Sequence, residues 1–341
     1  MNVLLKRSER GFTLVELMIS VTIGIMILAG VMQLYATSTR TQIVQEGSSR
    51  LQENARYVFA RLEKDLSQTG FVGCFKFKPT LIRVLLGKDS NNGELYDFLT
   101  PLTATNDDGA RNSDSLTLRY LSVGGRIPLE DMTEGEEDVV VDPDHGNYGS
   151  LQQYQIAVLT NCSRAAIFMI TNDPNGSGGI IEHARNVASP NGELNEGQSN
   201  VALFESQFGH KPNNYKDGNS VAYLYGAGIG AYIYSIGDSD RAIAAGDECD
   251  AANPQNCALQ TNGQELVEGV EDFQLELGWI NAAGNIRFGD PSAAANFDWA
   301  AVDRIKMTLT LNTIETVPTA QGNQLHSKVF SRTVMIRNQL P

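Results

Sequence analysis

The chain has 341 residues, 42% of them hydrophobic, with 26 Lys and Arg against 40 Asp and Glu and so a formal net charge of −14. That length and apolar content are enough for one large or two modest packed domains and exclude general disorder. The acidic balance excludes a general affinity for nucleic acid or anionic lipid, both of which need a surplus of cations at the contact.

The first eleven residues, MNVLLKRSERG, carry Lys6, Arg7 and Arg10 against Glu9 alone. From Phe12 to Ala36 there follow 25 residues with one formal charge, Glu16. At about 1.5 Å per residue a helix of that length spans the ~30 Å hydrocarbon core with some tilt. The basic flank marks the cytoplasmic side. A cleavable secretory signal fits less well, because its apolar stretch is about 7–15 residues and ends in a small-residue cleavage site. Here the only small residue at the charge-to-apolar junction is Gly11, so cutting there removes the basic leader and keeps the apolar segment.

Gly11-Phe12-Thr13-Leu14-Val15-Glu16 resembles the class III signal of type IV prepilins. That resemblance implies cleavage after Gly11 by a prepilin peptidase, N-methylation of the new terminus on Phe12, and a helix that packs in a filament core with Glu16 serving assembly. Glu16 also has a physical rationale. A carboxylate in an apolar segment costs several kcal/mol unless it is partnered. The α-amino group released at Phe12 of a neighbouring subunit, with a reference pKa of about 8, supplies a cation. At an effective dielectric of about 20 and a separation of about 4 Å the attraction is roughly 4 kcal/mol, enough to offset burial and favour one register.

Beyond Ala36 the chain turns polar yet stays helical. Leu51, Ala55, Val58, Leu62 and Leu66 recur at spacings of three and four, predicting one apolar face laid on a globular head, with Thr69-Gly70 as the stop. An unbroken helix over 12–68 is about 85 Å long. Gly24, Gly30 and Gly47 are its soft points. Related subunits often carry a proline near the position of Gln33, which this chain lacks.

From Phe71 onward short apolar or alternating runs separated by Gly, Asn, Asp and Pro predict a β-rich head. The clearest strand is Arg304 to Leu311, where four apolar residues alternate with polar ones. Weaker strand signals lie at 115–123, 154–160, 165–171, 221–226, 231–236, 271–277 and 328–337. No long helices alternate with them, so a doubly wound fold is excluded. The expected class is α+β, pilin-like: a leader at 1–11, a helix at 12–68 with 12–36 transmembrane, and a mainly antiparallel head at 69–341. Leu51 to Phe75, Leu266 to Phe273, Val302 to Leu311 and Val334 to Asn338 further resemble the PilW family of minor pilins. This implies a low-abundance subunit that primes filament assembly.

Four cysteines, Cys74, Cys162, Cys249 and Cys257, lack metal-ligand spacing and suit two disulfides in an exported head, with three pairings open. Cys249 with Cys257, closing DECDAANPQNC, and Cys74 with Cys162 are favoured. Acidic clusters at Asp107-Asp108, Asp142 to Asp144, Asp238 to Asp240 and Asp247 to Asp250 read as solvated turns rather than calcium loops, since none has EF-hand spacing. Gly226 to Gly230 lacks the lysine and the following helix of a phosphate-binding loop and reads as a hairpin or bulge between YLYG and AYIYSIG. His145, His183, His210 and His326 form no catalytic motif, and Tyr223, Tyr225, Tyr232 and Tyr234 are not interleaved with cations.

The expectation is therefore a minor pilin with no cofactor, no metal and no catalysis. It sits single-pass in the bacterial inner membrane with a periplasmic head before entering the filament, in particular its tip. The implied partners are minor and major pilins, the inner-membrane assembly platform, the prepilin peptidase and a tip adhesin, with no direct nucleic-acid contact. A minor pseudopilin of a type II secretion system is the alternative, and a membrane-anchored enzyme or adhesin the alternative of another class.

Overall fold

The computed structural model describes residues 11–71, 81–84, 98–121, 125–132, 139–162, 165–184, 187–190, 223–225, 229–241, 248–291, 301–319 and 322–336. Helix α1 (Leu14–Gln68) runs unbroken for 55 residues, about 82 Å. It ends where Thr69 donates its N–H to the carbonyls of Asp65 and Leu66 and Gly70 turns to φ 73°, a left-handed conformation that favours glycine.

The described strands follow in order. They begin with β1 (Ile82–Val84), β2 (Leu102–Thr105), β3 (Ser115–Leu121), β4 (Arg126–Met132) and β5 (Val139–Val141). Next come β6 (Ile156–Thr160), β7 (Ala165–Met169), β8 (Ile180–Ile181), β9 (Tyr223–Tyr225) and β10 (Ile229–Asp238). The C-terminal set is β11 (Cys257–Thr261), β12 (Gln264–Glu268), β13 (Val270–Ile280), β14 (Ile286–Gly289), β15 (Val302–Asn312), β16 (Val317–Thr319), β17 (Gly322–Gln324) and β18 (Ser327–Met335).

They form a seven-stranded sheet (β1-β7-β6-β9-β4-β5-β8), a five-stranded sheet (β12-β11-β10-β3-β2), a four-stranded sheet (β14-β13-β15-β18) and the β16-β17 pair. Every described pairing is antiparallel except β1 with β7. One long helix on a β-rich, antiparallel head is the α+β pilin-like architecture expected above.

One core joins the helix to two sheets. Leu51, Val58, Phe59, Leu62 and Leu66 of α1 pack with Leu116 and Leu118 of β3, Leu275 and Leu277 of β13, and Ile305, Met307 and Leu309 of β15. The alternation along β15 produces this directly, because its odd-numbered apolar residues face the helix while Lys306, Thr308 and Thr310 face outward.

A separate arrangement lies in the seven-stranded sheet. Leu121 pairs with Ile229 across β3 and β10, so the chain between them leaves and re-enters the five-stranded sheet at one hairpin end. All strands described in that excursion, β4 to β9, belong to the seven-stranded sheet. It has an apolar cluster on each face, one around Leu159, Phe168 and Ile181, the other around Phe98, Val158 and Ile167.

Two readings of the sequence need correcting. The glycine run at Gly226 to Gly230 does not sit inside a hairpin, because β9 pairs with β4 and β6 in the seven-stranded sheet while β10 pairs with β3 and β11 in another; residues 226–228 themselves lie outside the described set. Gly47 is not merely a soft point, since a Cβ there would stand 3.0 Å from Thr313 Cγ2, so the glycine lets the helix approach the loop before β16.

Candidate assembly interface

Residues 11–13 are not helical, and α1 begins with Thr13 as its N-cap. Glu16 N donates to Thr13 Oγ1 (3.2 Å), while Glu16 Oε2 accepts from Thr13 N and Thr13 Oγ1 (both 3.0 Å). This reciprocal capping box satisfies two otherwise orphaned groups at the helix start and seats the carboxylate where the helix dipole favours negative charge. Glu16 is thus held at the N-terminus by its own chain before any partner arrives. Thr-x-x-Glu ahead of an apolar run is the signal that reveals Thr13 as the positioning residue, which the sequence reading passed over. A Cβ on Gly11 would meet nothing within 4 Å, so nothing in the described fold demands glycine there. Residues 1–10, including Lys6, Arg7 and Arg10, lie outside the described residues.

The large apolar side chains from Phe12 to Tyr35 are all exposed in the isolated chain, Phe12 at 82%. This is the one helix of the described residues long and apolar enough to cross a membrane. Leaving such side chains in water costs about 1.5–3 kcal/mol each, so lipid or other helices must cover them. The hydroxyls within and just beyond this stretch bond back to carbonyls four residues earlier: Ser20 to Glu16 (2.7 Å), Thr22 to Met18 (2.7 Å) and Thr37 to Gln33 (2.9 Å). They therefore add no unsatisfied polar group to the apolar surface.

The other end of α1 is fixed to the head by a buried charge. Asp65 is 1% exposed and accepts hydrogen bonds from Arg61 Nε (3.0 Å), Tyr120 Oη of β3 (2.9 Å) and Tyr234 Oη of β10. Tyr120 stacks on Tyr232 with ring centroids 4.7 Å apart. Burial first, and then the Asp65 carboxylate, pushes the Tyr120 and Tyr234 phenols well above their usual range, so both stay neutral and donate. Arg61 is held firmly protonated, chiefly by its contact with Tyr234 Oη.

Cys249 and Cys257 are joined by a disulfide across a separation of 8 residues. The loop they close is tied down by Cys249 N donating to Asp238 Oδ1 (2.7 Å), Asn312 Nδ2 donating to the Pro254 carbonyl (2.9 Å), and Ser239 N donating to the Asn256 carbonyl (2.8 Å). Cys162, just past β6, is also disulfide-bonded; Cys74 lies outside the described residues. Two carboxylates of the acidic clusters cap turns: Asp142 accepts from Asp144 N, and Asp250 from Ala252 N and Asn253 N. Among the described residues no three His, Cys, Asp or Glu side chains are grouped to hold a metal ion. His145, His183 and His326 lie on separate segments, and His210 and Asp247 lie outside the described residues.

Residues 6–32 match the family model of the prokaryotic N-terminal methylation motif. The match covers the basic flank, Gly11, Phe12, Glu16 and most of the apolar run, and it supports a type IV pilin-like or pseudopilin-like protein anchored by a single N-terminal helix. No curated protein and no solved structure matches the chain.

Proposed function

We propose that this chain is a minor pilin. It is inserted in the bacterial inner membrane with its head in the periplasm, cleaved after Gly11, methylated on Phe12, and drawn into a type IV pilus through α1. The observation that carries the reading is the methylation motif over residues 6–32 on a helix whose apolar half is uncovered by its own head. Glu16 pairs with the Phe12 amine of a neighbour by exchanging its capping contacts to Thr13 for that cation. The protein does no chemistry of its own. The stretches similar to PilW point to a role in priming assembly with other minor pilins, near the tip and beneath an adhesin, in filaments that serve adhesion, twitching motility or DNA uptake. A minor pseudopilin of a type II secretion system shares the same signal and is the second reading.

Filaments sheared from cells producing the wild-type chain should contain it by mass spectrometry, and cells producing Glu16→Ala should retain it in the membrane. Wild-type protein absent from sheared pili, but required for secretion, would favour the pseudopilin reading.

A further inference from the structure

The four-stranded sheet carries most of the exposed apolar surface of the head. Of the seven large hydrophobic side chains exposed among the described residues beyond α1, five are Ile280, Ile286, Phe288, Val329 and Met335. They share one face. Leu275, Ile305 and Leu309 point to the helix, and these five belong to the alternate set that points away from it. Apolar side chains gathered on one open face mark a contact surface.

One row of that face crosses the sheet from edge to edge. Phe288 pairs with Gly278, Gly278 with Arg304, and Arg304 with Met335. A Cβ on Gly278 would stand 2.4 Å from Arg304 Cγ and 2.8 Å from Phe288 Cε1, so the arginine stem and the ring close over the glycine. Asp303 takes the guanidinium, at 2.7 Å. The row is thus apolar along its length, with Phe288 at one edge and Met335 at the other. Both edges are open among the described strands, since β14 pairs only with β13 and β18 only with β15. Strand β18 pairs over nine residues with no bulge and no proline, so its outer side offers a straight run of backbone donors and acceptors.

Strand direction decides what fits these edges. Directions alternate across the sheet, so β14 and β18 run antiparallel to each other. Strand β15 runs back toward the membrane end of α1: Gly47 approaches Thr313 just past its end, while Glu63 pairs with Arg332, which lies opposite Met307 in its middle. Copies anchored side by side in one membrane share that direction. The β14 edge of one then meets the β18 edge of the next as an antiparallel pair, whereas β18 on β18 is parallel and sets Lys328 and Arg332 beside their own copies. Equal anchoring heights place Phe288 next to Met335. Bringing Phe288 to Val329 instead takes a shift of six residues, about 20 Å, which drags an apolar span out of the bilayer.

We infer that β14 and β18 are the two halves of a side-to-side joint between copies of this chain standing in one membrane, with Phe288 of one copy beside Met335 of the next. Equivalent helices are then about four strand widths, roughly 19 Å, apart, beyond the reach of packed helices, so the joint is a contact of heads alone. The inference goes beyond the proposed function and rests only on anchoring by α1, not on processing or entry into a filament. The overlap is short, and confinement to a membrane raises the effective concentration at which it forms.

The test uses the full chain in membranes of cells without a prepilin peptidase, in two differently tagged versions carrying Asp290→Cys, just past β14, and Thr333→Cys, next to Val334 on β18. After oxidation the 290-to-333 cross-link should exceed both 290-to-290 and 333-to-333. Adding Phe288→Asp to the first version, or Met335→Asp to the second, should lower its yield about tenfold, as loss of one apolar contact at the joint implies, while Ile180→Asp on the other sheet should leave it unchanged. All three altered side chains are exposed, and unchanged thermal melts establish that the variants fold. Same-residue cross-links equal to or above the mixed one, no cross-link at all, or a yield insensitive to both Phe288→Asp and Met335→Asp would overturn the inference. Recovery of the chain in the soluble fraction would instead sink the anchoring on which it rests.

Discussion

Asp65 takes a full charge into the core, and its three donors make that tolerable. Breaking a buried charged cluster by removing one partner costs about 3–5 kcal/mol, whereas deleting a single neutral donor costs about 1–3 kcal/mol. Asp65→Ala should therefore lower the thermal unfolding temperature of the detergent-solubilised chain more than Tyr234→Phe does, and equal effects would argue against a charge at the centre of the cluster. The tyrosines also set a pH dependence. Their folded-state pKa values are raised above the unfolded value of about 10, so the folded state holds protons that the unfolded chain releases, and stability is lost as pH climbs past about 10. Tyr120→Phe should flatten that alkaline loss, measured as unfolding midpoint against pH from 8 to 11. None of this was legible beforehand. In LEKDLSQ, Asp65 reads as one more solvated helix residue, and its partners Tyr120 and Tyr234 are 55 and 169 positions away. Thr13 was legible, since a capping box is a local pattern.

At the scale of elements, α1 combines two helices of different character in one rod. Its first half is apolar all round and its second is amphipathic, and only the second touches the head. The glycines divide accordingly. A methyl group added at Gly24 or Gly30 would enter open space, so Gly24→Ala should raise helix stability by up to about 1 kcal/mol. Gly47→Val should instead lower stability by about 1–3 kcal/mol, because its side chain meets Thr313 and Val317. Circular dichroism melts of the two variants should move in opposite directions, and a common direction would contradict the close approach at Gly47.

Helix and strand periodicity carried much of the architecture. Leu51 to Leu66 marked the docking face, and β15 alternates over its length. Some strands were read with blurred ends and others went unread, for identifiable reasons. Strands β6 and β7 are buried on both faces and so do not alternate, which blurs their ends. Strands β5 and β8 have 3 and 2 residues, too short for any period. The β11–β12 hairpin was readable and was missed: Asn262-Gly263, with φ 51° and 74°, is the two-residue turn that matches strand twist.

For the whole molecule, the decisive arrangement is that the chain is capped, anchored and docked along a single helix while all of the seven-stranded sheet except its edge strand β1 is carried on an excursion from the β3–β10 hairpin. That long-range insertion leaves no periodic trace in the sequence, because a hairpin whose two strands are joined by residues 122–228 has no local turn to betray it. The N-terminal signal, by contrast, is contiguous and short, and was read from a basic flank, one glycine and one carboxylate in an apolar segment. The proposed entry of α1 into a filament depends on that signal being used. Producing the chain with and without a prepilin peptidase and reading the mature N-terminus by mass spectrometry tests it directly, with Gly11→Val as a control, since a side chain starting at that position has open space around it. The predicted result is cleavage after Gly11 and a methylated Phe12, both lost in the control; an intact N-terminus in the presence of the peptidase, or cleavage near Ala36, would contradict it.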